Sequence, residues 1–170
     1  MGPMFVAAFY RTLVTSELGF AFLAEAGGHP VGYATGVVHW RRFYQTFVRR
    51  NWGLAAAVVL RRVFDIRRWR RLFETTRYAT AARLPDAELI SVALRPEARG
   101  TGAADALVRH VLQEFAHRGI REVRVTTAAS NAAAARVYER TGFHLLRDEE
   151  IHPGEPARVY VISLNGEART

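Results

Sequence analysis

The sequence predicts an α/β domain with a mixed sheet, flanking helices and one basic helical insertion. A strand, an amphipathic helix and a second strand follow one another over residues 88–127. This order predicts a parallel strand pair joined by a right-handed crossover helix. A hairpin precedes this unit, and two more strands follow it. Between hairpin and unit, residues 41–83 are strongly basic and have the apolar spacing of helices.

The N-terminal third predicts one helix and one hairpin. Residues 3–15 have helical apolar spacing. One face of this helix carries Phe5, Phe9 and Leu13. Residues 19–26 and 31–38 predict strands, and Gly27-Gly28-His29-Pro30 between them offers the residues of a tight turn. These two strands are therefore expected to form a hairpin.

The insertion holds most of the charge of the chain. Residues 40–78 predict two helices that Gly53 separates. Their apolar stripe is Trp52, Ala56, Val59, Val63 and Ile66. Residues 41–83 contain 12 arginines against Asp65 and Glu74, so this segment accounts for more than the whole net charge of +8. All 24 basic residues are arginine, which a GC-rich genome explains. Genome composition does not explain why half of them lie in one segment, and this clustering indicates a function for the segment.

The second half alternates strands with helices. Its predicted strands are residues 88–94, 121–127, 143–148 and 157–164, and its predicted helices are residues 101–118 and 131–141. The first of these helices has the clearest pattern. Its apolar face consists of Ala104, Leu107, Val108, Val111, Leu112 and Phe115. Gly119 and Gly142 are natural C-terminal stops for the two helices.

Composition excludes several classes of function. The 170 residues suit a single domain spanning 1–170. The chain has no cysteine, which removes disulfides, thiolate metal sites and a cysteine nucleophile. It has no apolar run of 18 residues and no secretion signal at its start, so we expect no transmembrane segment and a cytoplasmic protein.

A glycine-rich turn connects the strand at 88–94 to the helix at 101–118. It reads Arg99-Gly100-Thr101-Gly102-Ala103-Ala104. Glycines let the backbone approach a ligand, and the free amides of a helix N-terminus suit a pyrophosphate. An ordinary turn explains the same residues equally well. The spacing is neither that of a dinucleotide-binding loop nor that of a Walker loop, which requires a lysine.

A second motif opens the helix at 131–141. It runs Asn131-Ala-Ala-Ala134-Ala-Arg-Val-Tyr138-Glu-Arg-Thr-Gly142-Phe143. Asn131, Ala134 and Tyr138 share one helical face, and the small Ala134 leaves room for a ligand along it. The alternative is a plain helix with a core tyrosine and a glycine stop.

The order and spacing of these two motifs resemble the GCN5-related N-acetyltransferase (GNAT) superfamily. R-x-x-G-x-A follows one strand, and N-x-x-A-x-x-x-Y-x-x-x-G-F follows the next. The resemblance covers residues 88–148 strongly and 17–38 loosely. It implies a mixed, mostly antiparallel sheet with a central parallel pair. It also implies an acyltransferase that moves an acetyl group from acetyl-CoA to a primary amine by direct attack, without a metal.

The resemblance also assigns roles to residues. The backbone of the 92–94 strand would pair with the pantetheine arm of coenzyme A, the glycine-rich amides would hold the pyrophosphate, and Asn131 would bond the pantetheine or phosphate region. Tyr138 would be the acid that protonates the leaving thiolate. The implied coenzyme-binding residues are Val92, Ala93, Leu94, Arg99, Gly100, Thr101, Gly102, Ala103, Ala104, Asn131, Ala134 and Tyr138.

The general base has several candidates. Glu88 matches the catalytic glutamate of the histone-type members of the superfamily, but a solvated carboxylate at a strand end is the alternative. His39 and His152 are further candidates. Ribosomal-protein-type members carry a glutamate on the next strand, where this chain has Val125-Thr126-Thr127, and this departure counts against that subgroup.

Asp105 departs from what a phosphate site would favour. It follows the glycine-rich turn in the first turn of the helix. A carboxylate there suits the helix dipole but lies near the expected phosphate charge. It is expected either to weaken coenzyme binding or to point away.

The arginine-rich insertion is expected to cover the acceptor site. Arginine clusters bind phosphate and carboxylate groups, which favours a small or anionic amine such as an amino sugar nucleotide, or an acyl donor on an acidic carrier protein. A solvated or homodimer-forming helix pair is the structural alternative. The functional alternative is a non-catalytic module that holds nucleic acid or an anionic membrane surface through these helices; for the enzyme itself no nucleic-acid partner is expected.

Overall fold

A computed structural model describes residues 3–53, 84–152 and 154–164. Within them the helices are α1 (Pro3–Thr15), α2 (Trp40–Arg50), α3 (Ala103–His117) and α4 (Ala132–Arg140). The strands are β1 (Gly19–Ala26), β2 (His29–Val37), β3 (Ala87–Leu94), β4 (Glu122–Ala128), β5 (His144–His152) and β6 (Glu155–Ser163). The second predicted helix of the insertion, with Asp65 and Glu74, lies outside the described residues.

The six strands form one mixed sheet in the order β1-β2-β3-β4-β6-β5. The β3–β4 pair is parallel, and every other neighbouring pair is antiparallel. Helix α3 connects the two parallel strands, because a parallel pair requires a crossover rather than a tight turn. The predicted mixed, mostly antiparallel sheet with a central parallel pair is confirmed.

Helices α1 and α2 pack on one side of the sheet, which we call the α1 face. The predicted apolar stripe of α1 is confirmed: Phe5 and Phe9 lie with ring centroids 5.2 and 5.7 Å from that of Phe47 on α2. Leu13 is fully buried with Val37 and Phe43. The aromatic contacts hold the two helices together over the β2–β3 part of the sheet.

Helices α3 and α4 cover the opposite side, the α3 face, where the main core lies. The buried side chains of α3 are Leu107, Val108, Val111, Leu112 and Phe115, as its apolar spacing predicts. Gly36 of β2 makes room for this core. A β-carbon at that position would stand 2.8 Å from the ring of Phe115 and 2.5 Å from that of Phe20, closer than packed atoms allow.

The first helix of the insertion ends earlier than predicted. Asn51, not Gly53, ends α2, and Trp52 and Gly53 are helical again. The side chain of Asn51 anchors this helix end to α1. Its Nδ2 donates to Oγ1 of Thr12 at 3.2 Å and to the carbonyl of Phe47 at 3.0 Å, which also accepts the backbone amide of Asn51.

The parallel pair is short, and this opens the sheet. It consists of Ala87↔Val123, Glu88↔Arg124 and Leu89↔Val125. Beyond Leu89, β3 continues to Leu94 and β4 to Ala128 without pairing to each other. Ile90 forms a β-bulge: Leu89 and Ser91 pair with the adjacent β2 residues Gly36 and Thr35, and Ile90 has no partner on β2. Strands β3 and β4 separate at this bulge. The wedge between the carboxyl ends of β3 and β4 is called the gap below.

Candidate active site

On the β3 side of the gap, backbone groups have no partner in the part of the chain that the structure describes. The amide of Arg95 donates to the carbonyl of Val31 on β2 at 2.8 Å. Backbone groups of successive strand residues point to alternate sides, so the N–H and C=O of Leu94 and Val92 point away from β2 and into the gap. An extended ligand lying there would find the donors and acceptors of an open strand edge.

The glycine-rich turn brings further donors to the end of the gap. Gly100 and Gly102 have φ of 78° and 86°, the left-handed region that glycine adopts without strain. Oγ1 of Thr101 donates to the carbonyl of Ala98 at 2.8 Å and steadies the turn. The first hydrogen bond of α3 runs from Ala106 to Gly102, so the amides from Gly102 to Asp105 have no partner within the helix. These amides and the helix dipole suit an anion.

Asp105 points toward α4 rather than standing free beside those amides. Its two carboxylate oxygens accept hydrogen bonds from Arg140 at 2.8 and 2.9 Å. The hydrogen bond from Arg140 lowers the pKa of Asp105, and the charges of Arg140 and Arg109 lower it further. The carboxylate is therefore compensated by a neighbouring cation and ties the start of α3 to the end of α4.

The first residue of the second motif serves its own helix. Asn131 is the N-cap of α4, and its Oδ1 accepts the amide of Ala134 at 3.1 Å. The side chain is exposed, and its amide nitrogen remains a potential donor. Ala134 is half-buried on the same side of α4, and its small methyl group leaves room for a ligand between Asn131 and Tyr138.

Tyr138 is a buried phenol on α4. Its side chain is 6% exposed, with ring centroids 5.8 Å from Phe143 and 6.0 Å from Tyr160. Gly142 and the hydrogen bond from Phe143 to the Tyr138 carbonyl turn the chain back to bring Phe143 into this contact. No described residue hydrogen-bonds the hydroxyl. Burial raises the pKa of Tyr138 to about 12, so the phenol stays protonated at neutral pH.

Glu88 is not the solvated strand-end carboxylate that was the alternative. Its side chain is 16% exposed, and its Oε2 accepts hydrogen bonds from Nε and Nη2 of Arg124 at 3.1 and 2.6 Å. Burial raises the pKa of Glu88, and the charge and hydrogen bonds of Arg124 oppose that rise. Sequence reasoning missed Arg124, whose role depends on the parallel register of two strands.

His39 lies near the same strand end but is more open to solvent. Its Nδ1 stands 3.5 Å from a carboxylate oxygen of Asp86, and both side chains are more than 40% exposed. Asp86 also accepts the backbone amides of Trp40 and Arg41, so it caps α2. The side chain of His152, the other candidate base, is outside the described residues.

A cluster of hydroxyl groups on the α1 face was also missed. The hydroxyl of Tyr10 on α1 donates to Oγ of Ser91 at 3.2 Å, and Ser91 shares a 2.7 Å hydrogen bond with Thr35. The neighbouring hydroxyl of Tyr10, more than burial, raises the pKa of Tyr33 beside them. Ser91 directly precedes Val92, so the cluster borders the gap. Its members are 56 and 81 residues apart, and no local sequence signal links them.

The described part of the insertion is basic. Helix α2 carries four arginines and no acidic residue. They are Arg41, Arg42, Arg49 and Arg50. Among described residues no three acidic or histidine side chains group in a way that could hold a metal ion. No helix within residues 3–53, 84–152 and 154–164 has the length and apolar character needed to cross a membrane.

Comparison with known proteins places this architecture in a family. Residues 3–143 match the model of the Acetyltransferase (GNAT) family. A 61-residue segment is 36% identical to the [ribosomal protein bS18]-alanine N-acetyltransferase of Escherichia coli K12, covering 36% of this chain and 41% of that protein. The matched segment thus spans about two fifths of the relative.

Two solved structures share the fold. The ribosomal-protein-S18-alanine N-acetyltransferase of Escherichia coli superposes with a TM-score of 0.57 at 18% identity, over 96% of this chain and 81% of that one. A GNAT acetyltransferase of Elizabethkingia anophelis with acetyl-CoA bound gives 0.58 at 9% identity, over 96% and 84%. The family match spans most of the chain, and the sheet has the parallel pair and gap described above. This chain belongs to the Acetyltransferase (GNAT) family.

Proposed function

We propose that the protein is an N-acetyltransferase that moves an acetyl group from acetyl-CoA to a primary amine by direct attack. One observation carries the proposal: the same fold contains an open backbone edge at Val92 and Leu94, free amides at the start of α3 and the buried phenol of Tyr138 on α4. These three features match the three parts of acetyl-CoA, which are an amide-containing arm, a pyrophosphate and a thioester.

The open edge would bind the pantetheine arm as a strand is added to a sheet. The amides of the pantetheine arm would pair with the backbone of Val92 and Leu94, while Ala93 would keep β3 paired with β2. The amides from Gly100 to Ala104 would hold the pyrophosphate, with Arg99 at the edge of the turn. Asn131 would offer its free amide nitrogen, and Ala134 would leave room for the arm.

The reaction then needs little beyond positioning. The amine nitrogen attacks the thioester carbon, an N–C bond forms, and the C–S bond breaks to release coenzyme A. A backbone amide in the gap, that of Val92 or Leu94, would stabilise the oxyanion of the tetrahedral intermediate. A thiol with a pKa of about 8.5 is a good leaving group, so no covalent enzyme intermediate is required.

Tyr138 would act on the departing sulfur. Its hydroxyl has no partner among the described residues and stays protonated because burial disfavours the phenolate. It would donate a hydrogen bond to the developing thiolate. The ammonium formed on the nitrogen loses its proton to the base, and the thiolate of coenzyme A takes up a proton from solvent as it leaves.

Glu88 would be the base. Its side chain lies on the α1 face, opposite the face that carries Tyr138, so the amine and the sulfur would be served from different sides of the sheet. The carboxylate would accept the amine proton directly or through one water, and His39 beside Asp86 is a more exposed alternative.

The acceptor would enter over the α1 face. The four arginines of α2 favour a small amine that carries a phosphate or carboxylate, and they disfavour a polyamine. The hydroxyls of Tyr10, Ser91 and Thr35 would contact the polar atoms near its nitrogen. A second candidate is the N-terminal amine of a protein, which the similarity to an enzyme acting on ribosomal protein bS18 alanine favours.

Two measurements test the proposal. Calorimetry with acetyl-CoA comes first, and absence of binding would refute it. Coenzyme A release is then followed with a thiol reagent, which sees no background because the chain has no cysteine. Matched acceptors are glucosamine 6-phosphate, glucosamine, spermidine and a peptide starting with alanine. The anionic-acceptor proposal expects the phosphorylated sugar to have the highest kcat/KM, and a preference for spermidine would contradict it.

A further inference from the structure

We propose that Arg124 is a positioning residue for the reaction: it holds Oε2 of Glu88 and leaves Oε1 free to receive the proton of the acceptor amine. This inference rests on the proposed acetyl transfer and assigns a role to a residue that no motif includes.

The pair lies where the sheet begins to open. Glu88 and Arg124 are register partners in the parallel pair, and only Leu89↔Val125 separates them from the gap. Val92, whose amide faces the gap, is four residues along β3, at most about 13 Å between α-carbons at the usual strand rise. The glutamate side chain and one bridging water cover part of that distance, and an acceptor amine lying in the gap covers the rest.

The hydrogen bonds leave one carboxylate oxygen free. Both come from Arg124 and both end on Oε2. A fork-to-fork pair would have occupied both oxygens. Oε1 accepts no hydrogen bond from the residues that the structure describes, although the side chain is only 16% exposed. An oxygen held in place yet unpartnered is what a base needs toward a substrate that arrives later.

The surrounding charges make Arg124 necessary for this role. Among the described residues, the charged groups near Glu88 are Arg124 on β4, Glu149 on β5 and Asp86 just before β3, with His39 beside Asp86. Glu149 is itself paired with Arg147 at 3.1 Å. Burial and the two acidic neighbours raise the pKa of Glu88, and within residues 3–53, 84–152 and 154–164 only Arg124 lowers it. Without Arg124 the pKa of Glu88 would rise further, and less of the carboxyl would be in the form that accepts a proton.

A purely structural interstrand ion pair is the competing explanation, and pH profiles separate the two. We would measure kcat/KM from pH 6 to pH 9 for wild type, Arg124→Gln, Arg124→Lys and Glu88→Gln with one acceptor. The ammonium group of that acceptor titrates alike in every variant, so differences between the profiles come from the protein. Arg118→Gln is the control, because it removes a 2.7 Å ion pair with Glu114 near the far end of α3.

The expected results differ between the two arginine variants. In Arg124→Gln the ratio of kcat/KM at pH 9 to that at pH 6 should increase about tenfold or more, the effect of losing a neighbouring cation. Arg124→Lys keeps the charge but not the fork, so its profile should keep its shape while kcat falls. Glu88→Gln should lose the glutamate-dependent part of the profile, and Arg118→Gln should match wild type.

Other outcomes overturn the inference. Unchanged profile shape in Arg124→Gln, or full activity of Glu88→Gln, would leave only a structural ion pair. If Arg124→Gln fails to fold by circular dichroism, Arg124→Lys and Glu88→Gln decide alone: full kcat in either one refutes the role. Acetyl-CoA binding of the wild type is measured in parallel. Failure to bind would instead refute the proposed function, whereas binding and turnover with unmoved profiles would refute only the role of Arg124.

Discussion

Replacing Tyr138 with phenylalanine should lower kcat about 10- to 150-fold and leave acetyl-CoA affinity nearly unchanged. The range follows from losing one hydrogen bond to a charged group, worth about 1.5–3 kcal/mol, at about 1.4 kcal/mol per tenfold in rate. The fold should tolerate the change. The hydroxyl has no partner among the described residues, and the phenylalanine ring keeps the contacts with Phe143 and Tyr160.

The pKa of Tyr138 limits the size of the effect. Complete proton transfer from a phenol with a pKa of about 12 to the thiolate of a thiol with a pKa of about 8.5 would cost about 5 kcal/mol. The hydroxyl should therefore donate a hydrogen bond in the transition state without ending as a phenolate. For the same reason kcat should show no fall below about pH 10 from ionisation of this group.

Stopped-flow or plate assays of thiol release at saturating substrates, from pH 7 to pH 10, would measure both effects. Circular dichroism melts and acetyl-CoA calorimetry on the same samples would exclude unfolding and lost binding. An undiminished kcat would remove Tyr138 from the mechanism. A basic limb between pH 8 and 10 that disappears in the phenylalanine variant would refute the argument from burial.

Two further predictions concern the start of α3. Gly102→Ala should lower the free energy of unfolding by about 1–2 kcal/mol, because an L-residue is strained at a positive φ, and it should also weaken acetyl-CoA binding. The matched variant is Gly119→Ala, at φ 73° at the other end of α3. It should have a lower melting temperature but bind acetyl-CoA normally. Asp105→Asn should lower the melting temperature at pH 7 through loss of the ion pair with Arg140. Because the folded pKa of Asp105 is lowered, this difference should shrink as the pH falls below about 4, and a constant difference down to pH 2 would contradict it.

Local patterns were enough for most of the fold. Helix α1 has the predicted bounds, because its apolar residues recur at helical spacing and α2 covers that stripe. The parallel pair followed from the length of the amphipathic helix between two strands. Strand β5 extends beyond the predicted 143–148 to His152 through a charged run. An edge strand pairs on one side only, so charged side chains are tolerated there and hide the strand from apolar patterning.

The site was predictable where its chemistry lies in the backbone or in one motif, and not where it depends on register. Glycine spacing located the turn before α3, and the spacing from Asn131 to Tyr138 placed the phenol on a helix face. The pairing of Glu88 with Arg124 appears only once two strands, 36 residues apart, are aligned. The contact of Tyr10 with Ser91 requires packing α1 against the sheet.

The short parallel pair gives the protein two extra sheet edges in its interior, besides the outer edges at β1 and β5. An edge inside a domain is hidden from other proteins but open to solvent and to a narrow ligand. In the unliganded protein the amide protons of Val92 and Leu94 should therefore exchange with deuterium quickly, while those of Ser91 and Ala93, directed at β2, exchange slowly. Acetyl-CoA should remove this every-second-residue alternation by joining the two halves of the sheet.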